Sequence, residues 1–249
     1  MNKNILLLIV LYFTIGQVSN SFLFCNTQSA AEGNAMVLNV KKTNDFPVTG
    51  DGNASAWETT EWTSLPQRGG ADIGFRTDIK ILHSDTGMYF LFRCGDRKLT
   101  ASMGVDFLDL WNEDVVELFL WPDERYPVYF EYELSPLNHE LPILIPNFEG
   151  KFLGWRPWHY EGERMTRHAT SVKGGKKESG ATISEWTAEI FIPYALLKPL
   201  QNVPPRSGTQ WRANFYRNDY DTTDKPTWSW QPVGRSYHEY KKFGTLVFE

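Results

Sequence analysis

The sequence predicts an all-β fold, a two-sheet β-sandwich of the jelly-roll or immunoglobulin-like kind with roughly eleven strands and one short helical turn. Three observations carry that expectation. Apolar residues recur in short segments that alternate with polar ones, the period of a half-buried strand rather than of a helix. Fourteen prolines and nineteen glycines punctuate those segments along 249 residues. No segment has the length and 3.6-residue period of a crossover helix, which excludes a parallel βαβ sheet. The missing glycine-rich phosphate loop removes the nucleotide chemistry that such a sheet supports. No internal repeat is visible.

Taken in chain order, the first residues have the layout of an export signal. A single cation, Lys3, precedes an apolar run over 5–15, and small residues follow at Ser29-Ala30-Ala31. The organisation expected is a signal peptide over 1–31, a short tether over 32–36 and one domain over 37–249. The apolar run is too short to span a bilayer, and no other segment approaches spanning length. The mature chain is therefore expected outside the cytoplasm: extracellular, periplasmic or at the cell surface. A lipid anchor on Cys25 is the alternative, against which stands the bulk of Phe24. With Cys25 in the leader, Cys94 has no partner, and its strand-like surroundings make it a small core residue. This excludes a disulfide framework and a thiolate metal site. Strands are expected at 37–41, 77–83, 88–94, 114–121, 128–134, 141–145, 168–173, 185–192, 211–217, 227–230 and 244–248. Pro193 opens the one helical turn, at 193–197.

Composition narrows the partners. The chain is 41% hydrophobic and 22% charged, with ten Trp, eleven Tyr and sixteen Phe, enough for one large core. Its net charge is −5 and its only dense basic stretch is Lys173-Gly-Gly-Lys176-Lys177, so nucleic acid and anionic membranes are disfavoured.

The most informative segment runs from Trp111 to Trp121. Side chains of a strand alternate faces, which puts Val116, Leu118 and Leu120 on one side and Val115, Glu117, Phe119 and Trp121 on the other. The next strand does the same, with Phe130, Tyr132 and Leu134 on one face and Tyr129, Glu131 and Glu133 on the other. Two neighbouring strands thus present carboxylates and aromatics on one sheet surface. That combination suits a pyranose, whose apolar C–H face packs on a ring while its hydroxyls need polar partners at the rim. The same pattern also fits a core Trp111 and a solvated Glu117.

Several segments in series resemble the family 9 carbohydrate-binding modules, most closely their stand-alone branch. They are Asp51-Gly52 with Trp57 and Trp62, Trp111-x-x-Asp114-x-x-Glu117-x-Phe119, Trp186-x-x-Glu189-x-x-Ile192-Pro193, Trp211-Arg212-x-Asn214-Phe215-Tyr216-Arg217, Ser229-Trp230-x-Pro232 and a closing Tyr237-His238 before Phe243-Gly244. The resemblance spans about 37–249. It implies a non-catalytic sandwich that holds a sugar, often at a glycan end, between two aromatic rings, here Trp111 and Tyr237. Glu117 takes sugar hydroxyls. Tyr237 is a smaller platform than the Trp of better-studied modules. Where those modules place a basic residue on the strand after the Glu, this chain has Tyr129, Glu131 and Glu133. Arg212 or Arg217 on another strand is the candidate substitute, with structural ion pairs as the other reading of these arginines, and Asn214 is a further candidate contact. The implied ligands are oligosaccharides or polysaccharides of plant type, xylan among them, and the implied partners are glycoside hydrolases acting on the same glycan. No cofactor is required. Structural calcium occurs in some members, and Asp219-x-Asp221-x-x-Asp224 and the Asp51-Gly-Asn53 turn offer oxygens for it.

Three rival functions remain. A glycosidase would use Glu117 with Glu131 or Glu133 as an acid and nucleophile pair. A haem-binding sandwich domain would draw axial ligands from His83, His139, His159, His168 or His238 with Met88, Met103 or Met165. A protein-interaction module would use exposed Trp and Tyr at an interface.

Overall fold

A computed structural model describes residues 35–158, 161–198 and 200–249. The leader expected over 1–31, Cys25 and most of the tether lie outside the described residues, as does His159. The eleven expected strands all form, most within a residue or two of the expected length and the one expected at 141–145 four residues longer. They are β1 (Val37–Lys42), β4 (Thr77–His83), β5 (Gly87–Gly95), β6 (Val115–Trp121), β7 (Val128–Leu134), β8 (Glu140–Phe148), β11 (Arg167–Lys173), β12 (Glu185–Pro193), β13 (Gln210–Asn218), β14 (Thr227–Ser229) and β15 (Gly244–Phe248). Four short strands were not legible: β2 (Thr63–Leu65), β3 (Gln67–Gly69), β9 (Lys151–Phe152) and β10 (Arg156–Pro157). Two or three residues are too few to show an alternation, and only pairing with a longer neighbour makes them strands. The helical turn forms as α1 (Tyr194–Leu197), behind Pro193.

One layer has the order β10-β8-β7-β6-β13-β15-β1, and the other β1-β4-β5-β12-β11. Strand β1 joins them: residues 37–40 run parallel to β15, then Lys41 and Lys42 run parallel to β4. Between the layers lies a core that includes Ile79, Ile81, Phe90, Phe92, Val116, Leu118, Leu120, Phe130, Tyr132, Trp186 and Ile190. Each such side chain contributes roughly 1.5–3 kcal/mol on burial, and the periodic pattern reports that gain. The assignment of faces on β6 and β7 follows the expected alternation. Cys94 lies in this core, and burial pushes its thiol up to about 12, which keeps it protonated.

The motifs around the core are mostly scaffold. Glu189 on β12 is fully buried and accepts hydrogen bonds from Trp57 Nε1, Thr49 N and Gly50 N, each at 2.8 Å, which pins the loop before β2 to the second sheet. Gly50 has φ of +90°, and a Cβ there would lie 2.8 Å from the Ala169 backbone, so no larger residue fits. A Cβ on Gly244 would strike the ring of Trp230, which ties the closing Phe-Gly to the Ser229-Trp230 segment.

Candidate ligand-binding site

The second face of the β13-β6-β7-β8 sheet carries the site. Cross-strand register sets Tyr216 beside Glu117, Glu117 beside Glu133, Phe119 beside Glu131, and Glu131 beside Ile143. Alternation had placed these side chains on one surface, and the expectation of an open, shallow surface with a solvated Glu117 is corrected here. A second apolar cluster covers the face, with Val115, Phe119, Trp121, Tyr129, Ile143, Ile145, Tyr240 and Phe243 packed together. Glu117 is 2% exposed, Glu131 4% and Glu133 0%.

Within that cover a cavity of about 390 Å³ opens over the carboxyls, a size within the roughly 300–1,000 Å³ of small-ligand sites. Trp111, Phe119, Trp155, Phe152, Tyr237 and His238 supply its rings, and Glu117, Glu131 and Asn218 its polar groups. Four of the seven residues expected at the site, Trp111, Glu117, Glu131 and Tyr237, thus line one cavity.

Each ring is placed by a local device. Trp111 sits on the 3₁₀ turn Leu110–Asn112 just ahead of β6. The turn is held from behind by Tyr220 Oη, which donates to Trp111 O at 2.6 Å. Asp114, three residues on, accepts from Thr100 N at 2.6 Å and Tyr220 N at 2.8 Å. Its burial pushes the Asp114 carboxyl up to about 8. Tyr237 stacks on Tyr216 at 4.0 Å and donates through its hydroxyl to Asn218 Oδ1 at 2.6 Å. The other end of Asn218, Nδ2, donates to Glu117 Oε1 at 2.8 Å. One amide thereby couples the acid to the aromatic ring. Trp155 meets Trp111 edge to face at 5.7 Å, and Phe152 stacks on His238 at 4.1 Å.

Electrostatically the floor is unusual. Burial raises Glu117, Glu131 and Glu133 well above the ordinary carboxylate range, and their mutual repulsion raises Glu131 and Glu133 further. Both Glu133 oxygens and Glu131 Oε2 are buried without a hydrogen-bond partner. His238 brings no compensating charge, because burial pulls its imidazole down to about 4. Its Nδ1 instead shares a hydrogen bond of 2.7 Å with the Tyr129 hydroxyl.

The other three expected site residues lie elsewhere. Tyr129 is fully buried beneath the cavity and acts on it only through His238. Asn214 is also fully buried, with its amide spent on Gln231 N and O and on Tyr216 Oη. It reaches the site only through Tyr216, whose hydroxyl donates to Tyr237 O at 2.9 Å. Arg212 shares the face but stands beside Trp121, at a separate cleft, with its guanidinium on Phe243 O and 3.8 Å from Glu124. Position along the strand, not face, separates these residues from the site. Asn218, missed in the sequence, was signalled weakly by the alternation Asn214, Tyr216, Asn218. Trp155, Phe152 and His238 had no local signal, since β9, β10 and the loop before β15 bring them in.

Of the carboxylates named for calcium, those of Asp219 and Asp221 lie with that of Asp96 within 4.8 Å of one another, while Asp224 stands outside the group. Protein donors already hold them: Arg217 Nη2 contacts Asp96 at 3.1 Å and Asp219 at 2.9 Å, and Thr100 Oγ1 donates to Asp221 at 2.8 Å. This donor set fits an arginine better than a divalent ion. Asp51 accepts from Thr49 Oγ1 and Asn53 N, as a turn former does. The described histidines do not converge on a haem-sized space: His83 contacts Glu249 O, His139 Asp106 and His168 Asn138, while Met88 is in the core.

No protein-family model matches the chain. An extracellular protein of Arthroderma benhamiae is 27% identical over 184 residues, which cover 70% of this chain and 78% of that protein. Among solved structures, a Bacteroides uniformis protein assigned as carbohydrate-binding superposes with a TM-score of 0.68 at 19% identity, over 86% of this chain and all of the other. A family 9 carbohydrate-binding module from Caldicellulosiruptor kristjanssonii, in complex with cellotriose, gives 0.62 at 15% identity over 86% and 94% of the two chains. The same organism's module with glucose gives 0.60, again at 15% identity, over 85% and 96%. The fold is that of the family 9 carbohydrate-binding modules.

Proposed function

We propose that this protein is an exported, non-catalytic carbohydrate-binding domain whose ligand packs on Trp111 and Tyr237 and gives its hydroxyls to Glu117 and Asn218. The observation that carries this is the cavity itself, with aromatic walls, a polar floor and the four residues that sequence reasoning had named for sugar contact. The fold's neighbours that were solved with cellotriose and glucose support the same ligand class. Export is supported by the leader-like layout of 1–31 and by the relative named as extracellular. Among the described residues no helix is long and apolar enough to cross a membrane. Plant-type glycans and glycan ends are the expected targets, in company with hydrolases that cut them.

Binding without turnover suits the carboxyls. Hydrolysis needs an acid and an ionised carboxylate set on either side of the scissile bond. Here Glu117, held by Asn218, and its neighbours Glu131 and Glu133 stand on one face of one sheet, all on one floor and not on two sides of a bond. A shallow gain per hydroxyl, offset by lost water contacts, gives dissociation constants of roughly micromolar to millimolar. Calorimetric titration of the protein with glucose, cello-oligosaccharides and xylo-oligosaccharides tests the reading. A ring platform that buries about 80 Å² contributes roughly 2 kcal/mol, so Trp111→Ala should weaken binding about 30-fold. Unchanged affinity in that variant, or sustained release of reducing sugar by the wild type, would overturn it.

A further inference from the structure

The cavity floor lacks something that other buried carboxyls of this protein possess. Glu189 receives three donors from the protein, and Asp96 and Asp219 receive a guanidinium. Glu131, 96% buried and lining the cavity, has one oxygen, Oε2, with no hydrogen-bond donor. The Trp111 backbone approaches Glu133 without closing a hydrogen bond. Glu117 receives only the neutral amide of Asn218.

Among the described residues no lysine or arginine lines the cavity. The nearest ring nitrogen, His238 Nδ1, is 3.8 Å from Glu131 Oε2 and is engaged by Tyr129. The surrounding Tyr129, Tyr216, Tyr220 and Tyr237 hydroxyls are all pushed above their ordinary value by burial, and stay neutral. Two carboxyls, Glu117 and Glu131, therefore line an aromatic cavity with no lysine or arginine of the described residues beside them. A neutral sugar hydroxyl can donate to Glu131 but brings no charge to favour its ionised form. An ammonium group brings three donors and a full charge, and the faces of Trp and Tyr favour a cation beside them.

We propose that the cavity selects an amine-bearing sugar, a hexosamine with a free amino group, whose ammonium sits at Glu131 and Glu117 while its ring packs against Trp111 and Tyr237. This rests on the carbohydrate-binding reading and names the ligand class within it. The group that makes the selection is Glu131, whose unpartnered Oε2 touches the ammonium.

The test is calorimetric titration of the full chain with glucosamine, N-acetylglucosamine and glucose at one pH and two salt concentrations. Glucosamine should bind at least about tenfold more tightly than glucose, because its hydrogen bonds to the carboxylates are charge-assisted. That preference should shrink as salt rises. N-acetylglucosamine, which keeps the nitrogen and loses the charge, should show no such gain. In Glu131→Gln the ratio of glucosamine to glucose affinity should fall to within about twofold, whatever the change in glucose affinity itself. Should that variant fail to fold, carboxyl ¹³C resonances of the wild-type protein give the second measurement, and glucosamine but not glucose should shift them. Equal binding of glucosamine and glucose, equal binding of glucosamine and its N-acetyl form, or unmoved carboxyl resonances would each overturn amine selection and leave carbohydrate binding standing. Absence of binding by all three sugars would remove both readings.

Discussion

Arg217 and Asn218 are adjacent on β13 and point to opposite faces, and each attends a buried acidic cluster in a different way. Arg217 is fully buried and donates to Thr77 Oγ1, Gly95 O, Asp96 and Asp219, with its guanidinium 4.5 Å over the ring of Trp228. Asn218 gives Glu117 one uncharged hydrogen bond and leaves Glu131 and Glu133 untouched. The first cluster holds a guanidinium of its own. The second has only a neutral amide and lies under a cavity. The difference teaches where to look for a ligand: a fold able to bury an arginine against two aspartates has left Glu117 and Glu131 without one where an outside molecule has access.

The largest test of that contrast is Arg217→Met. Removing one partner of a buried ion pair leaves Asp96 and Asp219 uncompensated and is expected to cost about 3–5 kcal/mol in urea unfolding. A loss below about 1 kcal/mol would mean that the first cluster is not held by its charge, and the comparison would fail.

A control on the same sheet comes next. Leu118 points into the core beside Glu117, and Leu118→Ala should lower stability by roughly 2–5 kcal/mol while binding changes only as far as unfolding does. An affinity loss in the folded variant would show that the two faces of β6 are not independent.

The glutamate floor should then announce itself through pH. Carboxyls with raised values in the fold bind protons that the unfolded chain has released. Their stabilisation is complete below the ordinary Glu value of 4.5 and is lost as pH rises through the raised values, about 8 for Glu117. Asp96, raised to about 6, and Asp114, raised to about 8, act in the same direction. Each such group removes about 1.4 kcal/mol per pH unit inside its window. Thermal unfolding from pH 5 to pH 8 should show falling stability, with a shallower fall in Glu131→Gln. A flat profile would mean that the floor is neutralised by something in the protein. The smallest effect belongs to Tyr237→Phe, which removes one hydrogen bond to Asn218 and should weaken sugar binding several-fold, about 1 kcal/mol, by calorimetry.

How much of this could be read in advance depends on the range over which each property is set. The strands and the faces of β6 and β7 were legible because alternation is local: Leu118 and Glu117 differ by one position, and one position is one face. The order of Trp111, Glu117 and Tyr237 was legible because it repeats a family's spacing. Two site residues, Trp155 and Phe152, carried no such signal, because β9 and β10 exist only by pairing with β8.

The amino-acid sequence by itself determined an all-β chain, the strand set, the sidedness of the central strands and four residues of the candidate site. Only the tertiary structure decided that the outer face is covered, so that Glu117, Glu131 and Glu133 are buried acids and not solvated ones. It also decided that Arg212 and Asn214 fall outside the cavity and Asn218 within it. The physical reason is that burial and register are set by segments distant in sequence. The cover over β6 and β7 is assembled from β8, the segment around β9 and β10, and the loop before β15, and no window of the chain contains them together.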